Sequence, residues 1–138
     1  MDTLSKARRS ENMRRIRSDG TAAEMCVRRL VHSMGFRYRL HCSELPGKPD
    51  LVFPRHAKII EVRGCFWHQH PGCIDSHFPK SRQEYWIPKL ERNKARDKKN
   101  ARLLRAQGWG LLTVWACWTE GKKAENLAHR VRRFLETP

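Results

Sequence analysis

No apolar run in this 138-residue chain approaches the ~20 residues that a membrane-spanning helix needs. Residues Met1 to Arg17 lack the apolar centre of a secretory signal, so an intracellular, cytoplasmic home is expected. Internal repeats and low-complexity linkers are missing too. Acid is scarce: 14 Asp plus Glu stand against 29 Lys plus Arg, a net charge of +15. A folded surface with that excess seeks polyanions, and nucleic acid comes first. The five cysteines are an odd number, which speaks against a disulfide framework in a reducing interior and turns attention to metal ligation.

The apolar share of 39% excludes a disordered tail and supports one core. Residues 1–20 read as a basic N-terminal arm, with Ser10 capping a short helix over 11–17, and residues 21–138 as a single domain. Thr21-Ala22-Ala23-Glu24 has the capping-box form, and Val27, Leu30, Val31 and Met34 follow at helical spacing, so a helix is predicted over 21–34. Phe36 to Leu40 alternates like a strand. Asp50 to Phe53 and Lys58 to Arg63 form a hairpin around Pro54-Arg55-His56. Gly64 to Lys80 is irregular. A long helix starts near Gln83, with Pro88 in its first turn and a stripe of Ile87, Leu90, Ala101 and Leu104 that Lys94 and Asp97 interrupt. Trp109 to Trp115 reads as a buried strand, and Leu127, Val131 and Leu135 mark a last helix. This order suits an α/β fold, a mixed sheet flanked by helices.

Asp50 at the mouth of one hairpin strand and Glu61 on the other could converge on Mg²⁺, a hard cation that takes oxygen ligands. Arg63 shares the face of Glu61. The bland alternative makes Glu61 a surface acid and Asp50 a turn residue. Cys65, His70 and Cys73 lie within nine residues, a spacing that lets one loop offer three zinc ligands. Cys117 is the best fourth and His77 the reserve; Cys26 and Cys42 look like small apolar fillers. Phe66-Trp67, beside the ligands, and Tyr85-Trp86 could stack on bases or be core, whereas Trp109 and Trp115 read as core. His68 could be a zinc ligand or a general base. Lys89 and Asn93 could touch phosphate or serve the long helix, and the basic residues around them, Arg96 included, give affinity without sequence choice.

Taken together, Leu45-Pro-Gly-Lys-Pro-Asp50, Gly64-Cys-Phe-Trp-His68, Cys73, Arg82-Gln-Glu-Tyr-Trp86, Lys89, Asn93, Arg96-Asp97, Gly108-Trp109 and Trp115-Ala-Cys117 resemble the very short patch repair endonucleases of bacteria. Ser10-Glu-Asn-Met13 and Thr21-Ala-Ala-Glu24 join the match, which covers nearly the whole chain. The resemblance implies a restriction-endonuclease-like PD-(D/E)XK fold with a structural zinc loop. It implies nicking on the 5′ side of the mispaired T in T·G mismatches left by 5-methylcytosine deamination, by a monomer on double-stranded DNA, with mismatch-repair proteins as partners. Asp50 would hold catalytic Mg²⁺ with the backbone carbonyl of Val62. His68 would be the general base and Glu24 would orient it. Cys65, His70, Cys73 and Cys117 would bind structural Zn²⁺. Phe66, Trp67 and Trp86 would insert from the major groove and Met13 from the minor. Glu61-Val62-Arg63 departs towards the E-x-K pattern of other nucleases, which makes Glu61 a second candidate metal ligand. The alternatives are a restriction-type or junction-cutting nuclease, and a non-catalytic zinc module that binds DNA.

Overall fold

The computed structural model describes residues 21–138. The basic arm over 1–20, the short helix expected over 11–17 and Met13 lie outside the described residues.

Helix α1 spans Ala22–Ser33. The Thr21 hydroxyl accepts from the Glu24 N–H at 3.1 Å, half of the expected capping box. The other half does not form. Glu24 is buried, and its carboxylate turns to His41 instead. Gly35, at φ +88°, closes the helix: its N–H reaches the His32 carbonyl while that of Phe36 reaches Val31.

Strand β1 is only Arg39–Leu40, shorter than predicted, because Phe36 and Tyr38 leave the ladder to pack on Phe53. Strands β2 (Leu51–Phe53) and β3 (Lys58–Arg63) form the expected antiparallel hairpin around the Pro54–His56 turn. Helix α2 (Gln83–Ala106) then crosses over to strand β4 (Gly110–Trp115), which pairs parallel to β3. Helix α3 (Lys123–Glu136) ends the chain with Leu127, Val131 and Leu135 buried, as predicted. The sheet order is β1-β2-β3-β4 and the sheet is mixed.

Pro88 sits inside α2 and not in its first turn, since the helix begins at Gln83, behind Arg82 at φ +56°. A proline there leaves the Glu84 carbonyl without its helical donor.

Alternation along the strands makes two layers. Leu51, Phe53, Ile60, Val62 and Val114 join Val27, Val31, Leu127, Val131 and Leu135 under α1 and α3. Val52 and Ile59 face the other way, against Cys42 and Leu104 of α2. Each large side chain so buried contributes about 1.5–3 kcal/mol. The same alternation assigns Asp50, Glu61 and Arg63 to the α2 side. Between buried Leu90 and Leu104, the inward stripe of α2 turns polar and half-buried at Asn93, Asp97 and Asn100. The break in the apolar stripe is where the helix crosses the site. None of the described helices is long and apolar enough to cross a membrane.

Candidate active site and metal centre

A cleft of about 270 Å³ lies between α2, the end of β3 and the loop before β2. Asp50, Glu61, Val62, His68 and Arg96 line it together, so five of the sequence-predicted residues meet in one place. Gly47, at φ +77°, lets the loop press on α2: a Cβ there would stand 2.7 Å from Asn100 Nδ2.

The Asp50 carboxylate accepts from the Val62 N–H at 2.8 Å through Oδ2. It is mostly buried, and burial pushes its pKa up to about 7; Glu24 and Glu61 add to the rise, while the Val62 bond and His41 oppose it. Glu24 and His41 stand by it, and each of the three places one potential ligand atom within 4.8 Å of the others. Glu24 Oε2 is buried with no hydrogen bond among the described residues. Two carboxylates, one of them with an unsatisfied oxygen, suit a divalent cation. Glu61 lines the same cleft but is held by Arg63 at 2.6 Å, and it stands outside this group. The ion pair occupies the carboxylate that the hairpin pattern offered as a second ligand.

His68 donates from Nδ1 to Asp97 Oδ2 at 2.7 Å. That carboxylate is the one on the His68 ring; Glu24, expected in this role, bonds the His41 ring at 3.1 Å. An ionised carboxylate only accepts, so Nδ1 carries a proton and, in the neutral ring, Nε2 keeps its lone pair. Asp97 and His41 were missed as site residues. Asp97 had a signal, the break in the apolar stripe. His41 had none, because its position follows from a left-handed backbone (φ +44°) and a loop contact.

Cys65, His70, Cys73 and Cys117 bring their ligand atoms within 4.8 Å of one another. His70 Nδ1 is 3.7 Å from Cys65 Sγ and 3.5 Å from Cys117 Sγ. Tetrahedral zinc, at about 2.0 Å from nitrogen and 2.3 Å from sulfur, sets its N and S ligands about 3.5 Å apart, so the donor set fits that ion. Burial drives the Cys65 thiol up to about 12 and, with Lys123, holds His70 down. His77 takes no part; its Nδ1 meets the Ile74 carbonyl. His68 also lies outside this group. Trp115, read as core, stacks flat on His70 at 4.3 Å.

Phe66, Trp67 and Trp86 form one aromatic cluster with centroids 5.2–5.6 Å apart, half-buried and not sunk in the core. Lys89 lies over the rings of Trp67 and Tyr85, 5.4 Å from each. Asn93 donates to the Trp67 carbonyl at 3.1 Å, which positions the loop on α2.

The sequence profile described as DNA mismatch endonuclease Vsr matches residues 1–73. The type II nicking enzyme V.XorIIP of Xanthomonas oryzae pv. oryzae is 49% identical, over 98% of this chain and 97% of its own length. DNA mismatch endonuclease Vsr of Escherichia coli is 35% identical, over 97% and 87%. The type II nicking enzyme V.NmeAIP of Neisseria meningitidis is 36% identical, over 98% and 97%.

Proposed function

The chain belongs to the DNA mismatch endonuclease Vsr family, and from that premise we propose that it nicks one strand of duplex DNA on the 5′ side of the mispaired T in a T·G mismatch. The observation that carries this reading is the meeting, in one cleft, of the Asp50 carboxylate with a His68 ring fixed by Asp97.

Asp50 and the Val62 carbonyl would hold Mg²⁺. When bound, the cation offsets charge on the scissile phosphate and acidifies a water. His68 Nε2 accepts the proton of the attacking water, and Asp97 keeps the ring in the tautomer that leaves Nε2 free. Arg96, on the cleft wall, supplies positive charge for the phosphate. Zinc on Cys65, His70, Cys73 and Cys117 would staple the loop that carries Phe66, Trp67 and His68.

Phe66, Trp67 and Trp86 act as a wedge. Unstacking a base step costs a few kcal/mol, least where pairing is already poor. That difference favours a mismatch over a matched pair. The test is nicking of T·G and T·A duplexes of one sequence by wild type, Asp50→Asn and His68→Ala. Wild type should cut the T·G duplex faster and both variants should cut neither. Equal rates on the two duplexes would remove the mismatch claim and leave a nuclease of matched DNA. Activity untouched by Asp50→Asn would remove the catalytic claim.

A further inference from the structure

Glu24, His41 and Asp50 present two carboxylates and an imidazole to one space, their donor atoms within 4.8 Å of one another. His41 Nε2 lies 3.1 Å from Glu24 Oε1 and 3.9 Å from Asp50 Oδ1. Ligands about 2.1 Å from a six-coordinate cation stand roughly 3.0 Å apart when adjacent and roughly 4.2 Å apart when opposite. The two separations are within a few tenths of an ångström of those an octahedral ion imposes. The 3.1 Å contact is a hydrogen bond in the cation-free protein. A bound cation would take the place of the Nε2 proton, which leaves to solvent or moves to Nδ1.

A second observation points the same way. Glu24 is 1% exposed, yet its Oε2 accepts no hydrogen bond among the described residues. The Arg28 guanidinium pairs with this oxygen at 3.8 Å, beyond hydrogen-bond reach, and leaves its lone pairs open to a closer cation. A buried, under-bonded carboxylate is costly unless a cation meets it. The His41 N–H donates to the Asp50 carbonyl at 3.0 Å, so the backbone ties the imidazole to the acid.

We infer that His41 is the nitrogen ligand of a divalent-cation site completed by Glu24 and Asp50, and that it tilts this site from Mg²⁺ towards Mn²⁺. The inference builds on the nuclease reading, since it names the cation preference of the same cleft. Mg²⁺ keeps to oxygen and water, whereas first-row transition ions accept imidazole. The thiolates of the Cys65 cluster are too soft to compete for Mn²⁺.

The experiment titrates Mn²⁺ and Mg²⁺ into the DNA-free, zinc-supplied protein, follows free Mn²⁺ by electron paramagnetic resonance, and looks for nitrogen coupling to bound Mn²⁺ by spin echo. Wild type should bind Mn²⁺ about tenfold more tightly than Mg²⁺ and show imidazole coupling. His41→Asn puts an oxygen donor on a residue that tolerates positive φ. It should lose the coupling and about tenfold in Mn²⁺ affinity, with Mg²⁺ affinity held within about threefold. His41→Gln is the second variant, and melting curves establish that each folds. No nitrogen coupling in wild type, or coupling that persists in a folded His41 variant, overturns the inference. Nicking is scored on the same samples. Nitrogen-coupled Mn²⁺ without nicking sinks the nuclease reading and leaves the site; nicking without coupling does the reverse.

Discussion

At the scale of single residues, Asp97 and Asp50 make opposite demands on protons. Asp97 acts through the ring it orients, so Asp97→Asn should lower kcat by roughly 10²–10⁴ while KM for DNA stays close to wild type. A rise in KM with kcat unchanged would instead mean a merely structural bond. Asp50 is a carboxyl raised from 3.8 to about 7 by burial. Between these two values the folded protein binds a proton that the unfolded chain has released. Stability of the cation-free protein should therefore fall as pH rises from about 4 to about 7 and level off above. Asp50→Asn removes the penalty, so above pH 7 and without cation the variant should melt at a higher temperature than wild type. With cation present, nicking should fall as pH drops below 7, since a protonated Asp50 is a poor ligand. Thermal melts at pH 5 and 8 with and without Mg²⁺ check both statements.

At the scale of elements, the loop between β3 and α2 brings together four side chains that would ligate zinc on the proposed reading, with one tryptophan stacked on its histidine. Chelation or Cys73→Ser should loosen it, abolish nicking and release bound zinc, while far-ultraviolet circular dichroism keeps the helical signal of α1, α2 and α3. Trp67→Ala and Trp86→Ala should narrow the gap between T·G and T·A rates and leave the cation affinity unchanged. The cysteines and histidine of this loop were legible in the sequence because their spacing is local. So was α3, from three leucine- and valine-bearing turns. The extent of β1 was not. Phe36 and Tyr38 alternate like strand residues, but tertiary packing on Phe53 takes them out of the ladder. The start of α2 near Gln83 was legible, but Pro88, expected in its first turn, stands beyond that turn inside the helix. Glu24 fitted a capping box by pattern, and only the fold brings His41, seventeen residues on, within reach of its carboxylate.

At the scale of the whole molecule, a charge of +15 makes the encounter with DNA electrostatic before it is chemical. If the enzyme neutralises about 6–10 phosphates, affinity for any duplex should fall by roughly 10³–10⁵ between about 50 and 200 mM salt, matched and mismatched DNA alike. The ratio of T·G to T·A nicking should stay near constant over that range, because the proposed wedge would read stacking and not charge. Filter binding and nicking across a salt series separate the two. A mismatch preference that collapsed with salt would assign selectivity to the basic surface.

Strand β3 carries a further consequence. Its even-numbered residues Ile60 and Val62 hold the layer beneath α1 and α3, and its odd-numbered Glu61 and Arg63 furnish the cleft. One hexapeptide thus writes two messages in alternate letters. A single-residue frameshift in its pairing would scramble both, so a well-folded but idle species has no route through misregistry. Preparations of unequal quality should differ in how many molecules work and share one turnover number per competent molecule.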